Sequence, residues 1–255
     1  MDLEITTCGL FNSSQPLEQT NPGSLYIRFE SCSQAYIGFD LPNEGLSGTI
    51  PVNRAVDDNV AACEELGHYY GPVIIDQKIA KTSATQASES PPKALDSEQP
   101  GIEIDPLSEF NYGLNDAWFN PLWPGQGFFV TVLPELEAVF VSWFTYDNQS
   151  PDAQTPFVVG APGHRWFTAF GFYDGNRADM ELELTTNGVF NDPLEVEQGT
   201  AGTMSLQFDD CYNGTISYYL DQTGESGEFP IKRALEDENI ISGCENPQNF
   251  PQITE

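Results

Sequence analysis

Basic residues are scarce in this 255-residue chain: 9 lysines and arginines stand against 39 aspartates and glutamates, a formal net charge of -30. That balance excludes nucleic acid and anionic membrane surfaces as partners, because no basic patch exists to displace counterions from phosphates. It leaves solvation in a salty exterior, a calcium-dependent surface, or drift in a secreted protein. Histidine is scarcer still, with only His68 in Gly-His-Tyr-Tyr and His164 in Pro-Gly-His-Arg. Nucleophilic hydrolysis needs a base beside its nucleophile, and no Gly-x-Ser-x-Gly elbow accompanies either residue. A glycine-rich phosphate loop and clustered metal-ligand spacing are also missing. Paired carboxylates are cheap among so many acids, so glycosidase chemistry has no positive support. No run approaches 18 apolar residues, which excludes a membrane-spanning helix and membrane insertion. The opening MDLEITTCGLFN lacks the basic start and apolar run of a signal peptide. Beside the cysteine pattern below, it reads as the interior of a longer precursor.

Aromatic residues, in contrast, make up 12% of the chain, which separates it from disordered acidic segments. The most informative feature is an internal repeat. Met1–Cys63 repeats Met180–Cys244: shifted by 179 positions (180 minus 1), about 55 residues align without a gap, with 20 identities in the 53 pairs from residue 3 to residue 55, and Cys63 meets Cys244 just past that region. Apolar residues face apolar ones: Ile27 matches Leu206, Phe29 matches Phe208, Ile37 matches Ile216, Phe39 matches Tyr218 and Leu41 matches Leu220. Glycines recur at turns, Gly45 with Gly224 and Gly48 with Gly227. What recurs is core and turn, the signature of a shared fold.

The fold is predicted to be all-β. Leu25, Ile27 and Phe29 alternate with polar partners, as do Ile37, Phe39 and Leu41, and period-2 alternation marks half-buried strands. Turn chemistry at Asn21-Pro-Gly23 and Pro42-Asn-Glu-Gly45 separates them. Residues 53–66 are the one helix-like stretch of the first copy. The spacing predicts an antiparallel meander forming barrel- or sandwich-like units in tandem, one half-copy and one full unit. The half-copy is assigned to residues 1–76. A Pro/Ser/Ala-rich acidic linker covers 77–109, too poor in large apolar groups to offset its ordering entropy. The full unit is 110–245, with an aromatic front part over 110–179 and the repeated part over 180–245; 246–255 is a tail. Ala138–Tyr146 and Trp166–Tyr173 are apolar on both faces, which predicts strands that are central or covered on both sides.

Cys32 aligns with Cys211 and Cys63 with Cys244, at separations of 31 and 33. One bridge within each copy explains this pattern, and a loop near 30 residues stabilises by about 3–4 kcal/mol in the chain-entropy model. Two cysteines without nearby histidines make poor zinc ligands. Disulfides place the chain outside the cell, in the periplasm or at the cell surface. Cys8 faces Asn187 and is left over, a buried free thiol rather than a functional one. Arg54 and Arg233 coincide in a chain with few cations, which predicts a structural ion pair inside each unit. Asp174, Asn176 and Asp179 offer oxygens in one tight stretch, a weak calcium candidate without a full loop pattern; a plain β-turn explains it better, and no other cofactor is implied. All four tryptophans lie in the front part. Trp143 and Trp166 sit inside apolar runs and are predicted to be core. Trp118 and Trp123 flank turn residues and are predicted to be exposed, where, with Tyr146, they form a candidate surface for a glycan or small ligand.

The segments Trp118-Phe119-Asn120-Pro121, Gly125-Gln126-Gly127-Phe128 and Trp143-Phe144-Thr145-Tyr146-Asp147 resemble a repeated β module, W-[FY]-[ND]-P / G-x-G-[FW] / W-[FY]-T-Y-D, of uncharacterised secreted proteins of Gram-negative bacteria. The resemblance covers about residues 114–245, and its second half again over 1–63. It implies a secreted, modular protein and supplies no catalytic residues. The usual module has a tryptophan soon after the Tyr-Asp turn, where this chain reads Pro156-Phe157-Val158-Val159. A strand meander with an early tryptophan is also similar in architecture to ligand-holding barrels of the avidin and lipocalin kind. The leading expectation is therefore a non-enzymatic extracellular β-repeat protein with a structural, adhesive or self-assembling role, through unpaired strand edges. The alternative is a carbohydrate or small-ligand binding module using exposed tryptophans.

Overall fold

In a computed structural model, the described residues are 1–7, 11, 18–55, 60–61, 63–65, 107–123, 125–146, 164–188, 195–235 and 237–247. The expected linker up to residue 106, Cys8 and His68 fall outside them. Residues 107–109, assigned above to the linker, instead sit against the second unit: Leu107 donates its amide to Asp209 O at 3.0 Å and packs on the core.

The second unit is a closed antiparallel barrel of eight strands. They are β6 (Asp116–Phe119), β7 (Gly127–Leu133), β8 (Ala138–Tyr146), β9 (His164–Asp174), β10 (Arg177–Thr186), β11 (Glu197–Phe208), β12 (Asn213–Leu220) and β13 (Glu225–Arg233). Each strand pairs with the next, and β13 returns to β6. Alternation does the sorting. In β10, Ala178, Met180 and Leu182 point inward and Arg177, Asp179, Glu181 and Glu183 outward. Val130 and Val132 from β7, Val139, Val141 and Trp143 from β8, and Leu206, Ile216, Phe229 and Ile231 from the repeated part fill the interior. An eight-stranded barrel is just wide enough for such filling.

Closure is thin. Lys232–Phe119 and Arg233–Trp118 pair across the seam between β13 and β6, and the Ala234 amide donates to Ala117 O at 2.8 Å just beyond them. Side chains reinforce it. Arg233 Nη1 donates to Asp116 Oδ2 at 2.6 Å, its Nη2 to Gly113 O at 2.7 Å, and its guanidinium lies 4.7 Å from the Trp118 ring centre. Both charges are almost wholly buried. The expected ion pair thus exists for Arg233. It closes the barrel.

The half-copy builds strands β1 (Ile5–Thr7), β2 (Glu18–Thr20), β3 (Ser24–Phe29), β4 (Gln34–Leu41) and β5 (Leu46–Asn53). Its pairings reproduce those of β10–β13 at the same 179-residue offset (184 minus 5). Ile5–Thr20 corresponds to Leu184–Gly199, Ser24–Asp40 to Thr203–Tyr219, and Gln34–Asn53 to Asn213–Lys232. Smaller features repeat too. A Cβ on Gly23 would sit 1.9 Å from Asp40 O, and one on Gly202 would sit 1.9 Å from Tyr219 O. Only glycine allows that approach. Ser31 accepts from the Ser33 and Gln34 amides, where Asp210 accepts from Tyr212 and Asn213. Disulfides join Cys32 to Cys63 and Cys211 to Cys244, as predicted. Helical turns occur at 60–61 and 63–65, within the expected helix-like stretch.

One difference separates the two copies. In the barrel, β10–β13 lie against β6–β9, and Phe208 and Leu206 are 0% exposed. Their matches Phe29 and Ile27 are 77% and 44% exposed. The half-copy is half a barrel whose inner face is open at Ile27 and Phe29 and buried at Phe39 and Leu41.

Candidate functional site

The two ends of the barrel differ. One end is sealed. Asn111–Leu114 enters below β6, and the helix α1 (Glu238–Glu245) is tied to the β11–β12 turn by the Cys211–Cys244 bridge and to Asn111, whose Nδ2 donates to Cys244 O at 3.2 Å. A Cβ on Gly113 would meet Cys244 Cα at 2.4 Å, so only glycine lets the helix dock this closely. Phe110 stacks on Tyr173 at 5.0 Å and packs edge-on to Phe208. Burial pushes the Tyr173 phenol above its ordinary value, and the Glu109 and Glu137 carboxylates add to that shift.

The opposite end is open. The ends of β8–β13 enclose a cavity of about 390 Å³, within the range of small-ligand sites. Its apolar walls come from Tyr146, Phe167, Leu184 and Leu220, and its rim from Arg165, Glu197, Asp221 and Glu225. One wall is not part of the barrel. Phe11, from the half-copy, is 8% exposed there. Its ring lies 5.6 Å from Trp143, tilted, and 5.6 Å from Tyr218, edge-on. Trp143 and Tyr218 belong to the barrel interior, so an aromatic ring from elsewhere in the chain reaches down its mouth. Below it, Gln126 Oε1 accepts from Trp143 Nε1 at 3.3 Å and from Thr145 Oγ1 at 3.1 Å, which fixes the tryptophan's orientation.

The predicted site residues do not gather at one place. Trp118 was expected on the surface but is 1% exposed. Its indole donates to Leu114 O at 3.1 Å, and it packs on Phe208 at the sealed end. Trp123 is half-buried, edge-on to Phe229 at 5.7 Å. Neither forms an open stacking surface. Tyr146 alone of the three faces the mouth cavity. Trp143 is buried, as expected, but Trp166 is 47% exposed, against expectation. On β8 and β9, Phe144 faces Trp166 and Phe140 faces Phe170 across the outside of the barrel. These strands, expected to be central or covered on both sides, are central, each paired along both edges, and among the described residues are covered only on the inner side. Phe129, Phe144, Trp166, Phe170 and Phe172 form an exposed aromatic band.

The calcium candidate resolves into a hairpin turn with Gly175 at φ 59°. Asn176 Nδ2 donates to Phe208 O at 2.8 Å, and Asp179 takes Arg177 Nη2 at 2.8 Å together with the Ser205 hydroxyl. The Asn176 and Asp179 side chains thus serve separate structural contacts. The Arg177 and then the Ser205 hydrogen bond hold the Asp179 carboxyl below the usual carboxylate range. No group of three or more His, Cys, Asp or Glu residues suited to a metal occurs among the described residues. Arg54 is exposed and repeats one bond of Arg233: its Nε donates to Cys32 O at 2.9 Å, as Arg233 Nε does to Cys211 O at 2.7 Å.

The molecule is thus a filled eight-stranded barrel, closed at one end and cupped at the other, preceded by a half-barrel. Protein-family models, curated proteins and solved structures give no match to the chain.

Proposed function

We propose that this is a non-enzymatic extracellular β-repeat protein with a structural, self-assembling role, in which the N-terminal half-barrel is completed by the half-barrel of a second copy. The observation that carries this reading is the uncovered inner face at Ile27 and Phe29, whose counterparts are the barrel's core. Large exposed apolar surfaces mark interaction sites, and unpaired strand edges invite strand addition. The geometry suits a second copy. What covers the matching face in the barrel is a set of four antiparallel strands, β6–β9. The half-copy also brings four strand positions with the registers of β10–β13. First and last positions in such a meander run in opposite directions, so a two-fold axis along the barrel sets each copy's last strand antiparallel to the other's first. Two disulfides fit an oxidising compartment outside the cell, and the resemblance to secreted modules points the same way. The outer aromatic band offers a further contact face for adhesion or assembly.

Light scattering after size exclusion tests the reading. The wild-type chain is expected at twice its 28.2 kDa mass, and Ile27→Asp with Phe29→Asp at the monomer mass with the barrel intact. A monomer under all salt and calcium conditions would contradict the proposal. The glycan reading passes from Trp118 and Trp123 to Trp166, the tryptophan with the open ring. Titration of a glycan panel, read by tryptophan fluorescence in wild type and Trp166→Ala, tests it; an unmoved signal on every member removes it.

A further inference from the structure

The barrel mouth has three properties that act together: free volume, a deep aromatic lining and a rim in which acids outnumber the one arginine among the described residues. We infer that it is a binding site for an uncharged or cationic aromatic molecule, and that Phe11 is its resident occupant. The first ground is the seat itself. Phe11 contacts Trp143 and Tyr218 at ring distances of 5.6 Å, inside the range of favourable aromatic pairs. These partners are buried barrel residues, while Phe11 belongs to a segment far from them in sequence. The seat therefore accepts a phenyl ring that no barrel strand supplies. The second ground is space: about 390 Å³ remains open beside that ring, room for a ligand of more than one ring.

Charge selects among aromatic ligands. Glu197, Asp221 and Glu225 border the cavity, and Arg165 is its one cation among the described residues. Arg165 is itself engaged within the protein. The surrounding net charge of -30 adds to this local excess. An anionic ligand meets repulsion at the rim, and an uncharged or cationic one does not. Phe11 then competes with the ligand by occupying the same seat. A tethered competitor acts at the effective concentration its linkage sets, roughly millimolar for short flexible tethers. Ligand affinity is reduced by the fraction of molecules in which the ring is seated.

This inference does not depend on the assembly reading, because it concerns the barrel and one ring. Two dyes test it. N-phenyl-1-naphthylamine is uncharged, and 8-anilinonaphthalene-1-sulfonate carries the same ring system with one sulfonate. Fluorescence titration of the full chain with each dye is done in wild type, Phe11→Ala, Phe11→Leu and Phe11→Tyr. The uncharged dye is expected to bind Phe11→Ala at least tenfold more tightly than wild type. Phe11→Leu moves in the same direction by less, which keeps the test open should the alanine variant fail to fold. Phe11→Tyr keeps the ring and behaves as wild type. The sulfonated dye binds Phe11→Ala at least tenfold more weakly than the uncharged one. A Phe170→Ser, Phe172→Ser variant made on the Phe11→Ala chain keeps its dye binding, because the outer band is a separate surface. Equal affinity of the uncharged dye for all Phe11 variants would overturn the inference. So would equal affinity for the two dyes, or loss of binding with the outer band.

Discussion

Two stretches of this molecule share strand registers, turn glycines, a disulfide and an arginine, yet positions that are core in one are exposed in the other. Phe208 and Phe29 occupy the same place in the same pairing scheme, and one is buried while the other is 77% exposed. Burial is therefore not set by a strand's own sequence. It depends on what lies across from it: β6–β9 along the whole face in one case, and a cover that leaves Ile27 and Phe29 open in the other. Backbone features carried over because hydrogen-bonding registers and glycine approaches are local. Energetic roles carried over only where the opposing half is present.

The arginine pair should break this comparison most sharply. Arg233 has a buried carboxylate partner on β6, a strand that the half-copy lacks. Arg233→Ala leaves Asp116 charged and buried, which costs about 3–5 kcal/mol. Arg54→Ala removes an exposed side chain and should cost under about 1 kcal/mol. Urea denaturation of both variants checks this; equal costs would mean that the half-copy has a cover of its own. The disulfides sharpen the comparison from the other side. Their stabilisation acts mainly on the unfolded chain, and their loops of 31 and 33 residues are nearly equal. Removing either pair should cost about the same, roughly 3–4 kcal/mol, despite unequal surroundings. A large inequality would point to strain or packing as the main term.

The smallest effect concerns pH. Asp179 has its folded-state pKa lowered by Arg177 and Ser205. A lowered pKa contributes stability above the unfolded-state value, and that contribution is lost as pH falls through the folded one. The residue sits on the exposed face of β10, so the contribution is small. Asp179→Asn should lower the melting temperature slightly at neutral pH, with the difference from wild type closing as pH falls through the acid limb. Melting temperatures from pH 7 downward test that; a difference that stays constant or grows toward acid pH would contradict it.

Much of this was legible in the sequence. Alternation at Met180, Leu182, Met204 and Leu206 gave the inner face, and paired cysteines gave the bridges. One arginine kept twice pointed to an ion pair, which Arg233 forms with the buried Asp116. Exposure of the tryptophans was not legible. Trp118 lies on a four-residue strand beside turn residues, and the signal for its burial, stacking under Arg233, comes from a residue 115 positions away (233 minus 118). Trp166 lies in an apolar run, but a run reports hydrophobicity and not whether a second layer exists. The seat of Phe11 was hidden for the same reason, since no local pattern encodes an entry into a distant barrel. Its match to Phe190 in the second copy was the available hint.

The central claim is that the half-barrel's open face and edge are completed by another copy. Hydrogen exchange at the β5 amides, followed as a function of protein concentration, reads it most directly. The account predicts protection that rises with concentration at β5 while β8 stays constant. Protection of β5 independent of concentration would contradict it.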